Sequence, residues 1–454
     1  MGRQPKQPNQ QLADLVAEAR LSRKGLARRV VERGSAVGVE LAYDHTSVGR
    51  WLAGEQPNPP GPELIAEVLT EVTGRRVTAA DCGMVAGQAA ADIGLEFSLS
   101  IAEATTAATT LWRSDVERRR FLVGASYAVA VYPAASMRWL TMPGPEHPAS
   151  GQGYRRIGQT DVDAVRTMTA AFRDLDNRVG GGKVRPTIVQ YLHSSVAPLL
   201  QSSYPEPIGR QLFATAAELT KLAGWAAYDL EEHGLAQRYL IQALRLSRAA
   251  GDAGLGAEIL AAMSHQATYV GRPGDAVDLA RAAQIAARTA GLAVLESECH
   301  MVEAHGHAAR ADGAMCATSL NAAERAYDRA GSTRPPWLDY FDGAYLSAKT
   351  AHCFRDLGDA ARTAQFAEES LNMSDGYTRG RAFNLCLLAS ARADEDPLEA
   401  VRIGGEALAL AAGLESRRSL AYLREVRHRL AAHANLPDVA EFRHRVLEVA
   451  TRAD

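Results

Sequence analysis

The feature that most constrains this chain is a rhythm in its C-terminal half. Over residues 211–450, apolar helical patterns of about 15 to 20 residues alternate with short Gly, Asp or Pro turns. Read as helix pairs, the second helix of each pair begins near Gly234, Asp275, Asp312, Asp359, Asp396 and Pro437, at intervals of 37 to 47 residues. The turns echo one another: Gly274-Asp275-Ala276, Asp312-Gly313-Ala314 and Gly358-Asp359-Ala360. Alanines recur on one face of the second helices, at 276, 280 and 283 and again at 360, 364 and 367. Small residues at that spacing let neighbouring helices approach closely, and such pairs bury their apolar faces only by stacking. The pattern predicts an all-α chain ending in a helical-repeat superhelix. Composition agrees: 47% hydrophobic and 23% charged residues are globular values, and aromatics are only 6%.

The N-terminal 80 residues follow a different plan. Helices are predicted over 9–19, from Ser22 to a stop at Gly34, over 45–53 and over 61–73. The third is the most sharply bounded. Asp44 is a good N-cap, Gly54 suits a left-handed exit, and Pro57 follows. Val48, Trp51 and Leu52 share one face and must be buried, which leaves His45, Thr46, Ser47, Gly49 and Arg50 outside. The helix before it is covered by Arg23, Lys24, Arg28, Arg29 and Arg33. Residues 1–60 hold nine Lys or Arg against six Asp or Glu, while the whole chain carries a net charge of −3. A basic helix preceding a small polar helix fits a helix-turn-helix, in which the first braces on phosphates and the second enters the major groove.

Ser22-Arg23-Lys24-Gly25-Leu26-Ala27, then Thr46-Ser47-Val48-Gly49-Arg50-Trp51-Leu52-Ala53-Gly54 and Pro57, are similar to the lambda-repressor-like (XRE-type) helix-turn-helix regulators. The resemblance implies that Arg23, Lys24, Arg28 and Arg29 hold phosphates and that His45, Thr46, Ser47 and Arg50 face bases. Two departures stand out. Arg23 occupies a position where the family often has Gln, and the connection 35–43 is longer than the usual tight turn.

Residues 81–210 are predicted as a helical linking region. A helix or connector over 98–110, a charged surface over 117–120 anchored by Trp112, a short buried helix over 121–133, a loop over 143–153 and helices over 161–179 and 186–200 are expected. Gly180-Gly181-Gly182-Lys183 superficially suggests a phosphate-binding loop. Val184 stands where Ser or Thr is needed, Asn177 breaks the glycine spacing, and no strand precedes it. A glycine turn between helices is expected instead.

Within 211–454, the segment Leu219-x2-Leu222-Ala223-Gly224-x3-Tyr228, with Ala236, Tyr239 and Ala243, resembles tetratricopeptide repeats at a looser period. That likeness implies a concave groove lined by the first helix of each pair. Candidate groove residues are His265, Gln266, Tyr269, His300, Glu303, His307, Asp339, Tyr340, Asp342, Tyr345, Arg379, Arg381 and Asn384, a mixed set suited to a peptide, a polar small molecule or a protein. His300, Glu303 and His307 share a helix face, but the HExxH order is absent and no metal is expected.

No GxSxG, Walker, Rossmann or kinase signature occurs, so neither catalysis nor a cofactor is predicted. The five cysteines are scattered without a CxxC, no run of about 18 apolar residues occurs, and the polar opening residues lead us to expect no signal peptide. A cytoplasmic, nucleoid-associated protein is expected. The whole resembles the DNA-binding regulators with tetratricopeptide-like sensors found in GC-rich, antibiotic-producing bacteria. The likeness implies a homodimer on double-stranded DNA that senses a peptide, small molecule or partner in its groove and controls development or secondary metabolism. An adaptor, with a partner held in the solenoid and a head that does not bind DNA, remains the alternative.

Overall fold

The computed structural model describes residues 8–36, 41–57, 61–75, 77–79, 81–84, 92–117, 126–142, 156–331 and 334–453. The chain divides into two compact units, Met1–Ile93 and Gly94–Asp454. The fold is all-helical, with no strand among the described residues. Residues 118–120 of the expected charged run, 121–125 and the loop 143–153 lie outside the described residues, as do 37–40 of the connection before Asp44. The short buried helix expected over 121–133 is not found in its described part, where 126–130 are non-helical and half-buried or exposed and helix begins only at Val131.

The first unit packs α1 (Gln10–Glu18), α2 (Arg23–Ala36), α3 (His45–Leu52) and α4 (Gly61–Thr73). Asn9 caps α1 by accepting from Leu12 N at 3.0 Å, and Asp44 caps α3 by accepting from Ser47 N at 2.8 Å. Gly54 (φ 92°) and Gly74 (φ 70°) leave their helices in the left-handed region, as their type allows. Helix α2 does not stop at Gly34. That glycine is buried, and the helix continues to Ala36. Leu12, Leu15, Leu26, Val30, Val48, Trp51, Ile65 and Leu69 form one core. Each large apolar side chain removed from water contributes on the order of 1.5–3 kcal/mol. Trp51 also takes the edge of Tyr43, with ring centroids 4.9 Å apart and planes at 89°.

In the second unit, α5 (Ile101–Glu117) and α6 (Val131–Thr141) pack on later helices. A hairpin follows, α7 (Gln159–Val179) and α8 (Gly181–Tyr191), the latter prolonged through a π-helical stretch, Leu192–Val196, to Leu200. Six pairs come next: α9 (Glu206–Asp229) with α10 (His233–Ala250), α11 (Ala253–Tyr269) with α12 (Pro273–Ala290), α13 (Ala293–Ala309) with α14 (Gly313–Asp328), α15 (Gly343–Asp356) with α16 (Ala360–Ser370), α17 (Thr378–Arg392) with α18 (Pro397–Ala411), and α19 (Arg417–Arg429) with α20 (Pro437–Ala453). The expected second-helix starts all fall within two residues of these bounds. Asp312, Asp359 and Asp396 are true caps, accepting from Met315 N, Arg362 N and Glu399 N at 3.1, 2.9 and 3.0 Å. Their carboxylates satisfy donors that a helix start otherwise leaves unpaired.

Helix α7 packs on α9 and also on α17, four pairs further along. The repeat curve therefore returns to the hairpin that precedes it. The contact is made by the glycine turn. Gly182 N donates to Glu415 O at 2.9 Å, and Glu415 N donates to Val179 O at 2.9 Å. A Cβ on Gly180 would stand 2.8 Å from Glu415 O, and one on Gly181 only 2.5 Å from Ala226 O. Both obstacles are backbone, which cannot swing aside. The run that imitates a phosphate loop is thus a close-packing joint. Residues 94–210, expected as a linking region, lie in the same compact unit as the repeats. The helix expected from Pro186 begins at Gly181, with Pro186 inside it.

Gly181→Ala should lower stability by about 1–3 kcal/mol, the cost of overpacking. Gly274→Ala, at an exposed helix start where a Cβ meets nothing within 4 Å, should be neutral or slightly stabilising. Chemical denaturation of both variants checks the contrast.

Candidate functional site

On the head, α3 presents His45, Thr46 and Arg50 as exposed side chains above the buried Val48 and Trp51. Ser47 is different from the expectation. It is buried, its hydroxyl donates to Asp44 Oδ1 at 3.0 Å, and it accepts from Asp44 N at 3.4 Å. It completes the cap rather than facing outward, because a capping box turns the N3 side chain back to the N-cap. The Ser47 backbone N–H, and after it the Ser47 hydroxyl, hold the Asp44 carboxyl below its ordinary value. Arg50 Nη2 lies 3.4 Å from Ser47 Oγ, and its Nε is 3.9 Å from Glu55. Arg23, Lys24, Arg28 and Arg29 are exposed on α2. The Arg23 guanidinium lies beside α3, 3.6 Å from where a Cβ on Gly49 would stand. Arg28 is 3.6 Å from Glu32 in a solvated pair, which contributes little.

In the second unit, a cavity of about 200 Å³ opens among the first helices of the pairs and α7. Its walls carry Trp225 from α9, Tyr345 from α15 and Phe383 from α17, with Trp337 and Tyr340 from the connection before α15. Of the expected groove residues, His265, Tyr340, Asp342, Tyr345, Arg379 and Asn384 line it. Asp342 also caps α15, accepting from Tyr345 N at 2.8 Å.

The others lie elsewhere. Gln266 is fully buried between Tyr132 and the carbonyl of His233. His300, Glu303 and His307 lie on α13 away from the cavity, where Glu303 accepts from Arg281 at 2.9 Å and Gln284 at 2.7 Å, both on α12, the second helix of the preceding pair. The face of α13 that reaches the cavity is Glu298 and Val302. Among the described residues, no three His, Cys, Asp or Glu side chains are arranged to hold a metal ion. Asp339 and Arg381 are exposed, and Arg381 donates to Leu371 O at 3.2 Å. Tyr269 lines a second recess with Tyr228, His305, Arg355 and Glu425. His265 borders both spaces, within a file of rings that runs Trp225, His265, His305, His352, Tyr422 at centroid spacings of 5.5, 6.0, 5.8 and 5.7 Å.

The charges around the cavity form two groups that the sequence reading missed. In one, Arg173 pairs with Glu218, Lys221 with Glu258, and Tyr340 donates to both oxygens of Glu298 at 2.7 and 2.8 Å. Glu258 Oε2 is buried without a hydrogen-bond partner. Burial, with Glu258 beside it, raises the Glu298 carboxyl to about 7. In the other, Arg379 bridges Asp176 at 2.7 Å and Asp229 at 3.2 Å, and Arg418 stands 4.0 Å from Asp229 and over the rings of Tyr228 (4.2 Å) and Phe383 (4.8 Å). Ser416 and Gly181 N donate to Asp229 as well, at 2.8 and 3.1 Å. Lys349 is buried, hydrogen-bonded to His265 Nδ1 at 3.0 Å, with Tyr345 beneath its ammonium at 5.3 Å. Among the described residues no carboxylate lies within 4.0 Å of it. Burial pushes the lysine down to about 7, against the pull of Glu298. Burial also lowers His265 and His352 well below the ordinary histidine range.

Residues 12–85 match the family described as the SP15 N-terminal domain. The match covers the head and none of the repeat helices. No curated protein matches the chain.

The two kinds of buried cation should respond oppositely to removal. Arg379→Met strands two buried carboxylates and should cost about 3–5 kcal/mol. Lys349→Met removes a buried ammonium with no carboxylate among the described residues within 4.0 Å and should stabilise the ligand-free protein by about 1–2 kcal/mol. Thermal and denaturant unfolding at neutral pH reads both.

Proposed function

We propose that this protein is a sequence-specific DNA-binding regulator whose repeat unit receives a ligand. One observation carries the reading. Helix α3 is fixed at both ends by Asp44 and Gly54 and anchored by Val48 and Trp51, so that His45, Thr46 and Arg50 project on a rigid face. The adjacent α2 presents Arg23, Lys24, Arg28 and Arg29 to solvent. That is the chemistry of a helix that enters the major groove beside one that grips phosphates. Arg50 donates to a guanine edge, His45 and Thr46 contact neighbouring bases, and the α2 cations neutralise the backbone.

In this reading two copies of the chain place their α3 helices about 34 Å apart, one turn of DNA. A ligand in the repeat unit acts by preferring one spacing of the heads. Without differential affinity for the two arrangements it would shift nothing. The ring-lined cavity is the receiving site. Control of development or secondary metabolism, as the sequence likeness implies, is the setting proposed for it.

Selection of bound sequences from a random duplex pool with the full chain should return a short preferred site. Arg50→Ala should then cost about 1–3 kcal/mol on that site and relax one base position. Recovery of no preferred sequence, or an Arg50→Ala protein with unchanged preference, contradicts the assignment.

A further inference from the structure

The charges bordering the cavity are uneven in a spatially organised way. At one end, Glu218, Glu258 and Glu298 face two cations, Arg173 and Lys221. At the other, Arg379, Arg418 and Lys349 face two carboxylates, Asp176 and Asp229. With Asp342, which also lines the cavity, the lining charges are five cations and five carboxylates, yet the Lys349 ammonium has no carboxylate among the described residues within 4.0 Å. Two residues that line the cavity also carry a buried atom without a hydrogen-bond partner. Glu258 Oε2 is buried without a partner at the acidic end. At the basic end, Arg418 Nε is buried without a partner, and the Lys349 ammonium makes its hydrogen bond to a neutral imidazole nitrogen. A buried polar atom left unpaired costs about 1–3 kcal/mol, so the arrangement is expensive when the cavity holds nothing that answers it.

The two ends are set apart by one helix. Glu258 and His265, the partner of Lys349, both lie on α11 and both line the cavity. Seven residues at 1.5 Å per residue separate them by about 10 Å along the axis. Between them Ala261 and Ala262 leave a floor without bulk, and Trp225, Tyr340 and Tyr345 supply flat apolar walls. A volume of about 200 Å³ suits a small molecule and not a length of peptide.

We propose that the cavity binds a small zwitterionic amphiphile, with its carboxylate at Lys349 and Arg418, its ammonium at Glu258, and a flat apolar body between the aromatic walls. Each ligand charge then lies against groups of opposite sign, and the Lys349 ammonium gains the charge-assisted hydrogen bond that its imidazole partner does not supply. Burial draws both Glu298 and Lys349 toward their neutral forms, and each is partly held charged by the other. This inference rests on the reading of the repeat unit as a receptor and not on what the head binds.

The test uses the full chain and three probes of one shape, titrated calorimetrically at neutral pH: para-(aminomethyl)benzoate, para-toluate, which lacks the amine, and benzylamine, which lacks the carboxylate. The zwitterion should bind about tenfold or more tighter than either, because a site built for a polar group rejects the analogue without it. Glu258→Gln should lose that preference over para-toluate while binding para-toluate within about twofold of the wild-type chain. Lys349→Met should lose both carboxylates and keep benzylamine. A wild-type chain that binds no probe, or binds all three alike, overturns the proposal, and so do variants that bind as the wild type does. Should a variant fail to melt cooperatively, the wild-type probe series decides alone. Repeating the titration with duplex DNA present separates the two readings. Zwitterion binding without DNA binding leaves the receptor standing and removes the regulator, and DNA binding without probe preference does the reverse.

Discussion

The second unit depends on one closure. A row of helix pairs stacked only on its neighbours would end in an open curve. Here the turn at Gly180–Gly182 meets the backbone at Glu415 through two main-chain hydrogen bonds, with Ala226 pressed against Gly181. No side chain can be added at that joint without moving backbone. Directly beside it, Arg379 from α17 spans Asp176 from α7 and Asp229 from α9. The glycines set the distance, and the buried ion pairs set which helices meet. Charges so deep are weak evidence for net stability, but they disfavour any arrangement in which they lose their partners. The consequence is a cavity with walls on several sides instead of a shallow groove.

Inside that cavity, burial and charge pull against each other. Glu258, Glu298 and Lys349 are held away from water, and Lys349 has no carboxylate among the described residues within 4.0 Å. The file of rings from Trp225 to Tyr422 places one ring from each of several first helices in contact with the next. A change in the spacing of adjacent helices would have to repack those rings. This gives the repeat unit a physical route by which occupancy could alter its curvature.

Much of the fold was legible in the sequence. Asp312, Asp359 and Asp396 announced helix starts because a carboxylate cap is a local, strongly directional preference, as Asp44 did in the head, and Gly54 announced a stop because glycine readily takes the positive φ of a helix exit. The site was legible only in part. Helix α13 is buried on nearly all sides, so no polar stripe distinguishes its inner face, and the His300, Glu303 and His307 alignment pointed to the wrong one. Lys349, Glu258 and Arg418 were not singled out, since a single buried ion has no pattern in one dimension. Asp176 gained its partner only through a contact with Arg379, about two hundred residues away. Ser47 was misread because the same residue type serves a cap and a base contact, and only the capping geometry separates them.

The central claim, that the head grips DNA through the exposed cations of α2, is tested most directly by the salt dependence of full-chain binding to duplex DNA. With Arg23, Lys24, Arg28 and Arg29 on phosphates, log affinity should fall linearly with log salt, with a slope of about −3 to −4 for each head, from about −0.9 per phosphate neutralised. Charge-neutral replacement of those four residues should flatten the line. A binding constant that does not change with salt, or a slope unaffected by removing the four cations, would contradict the account.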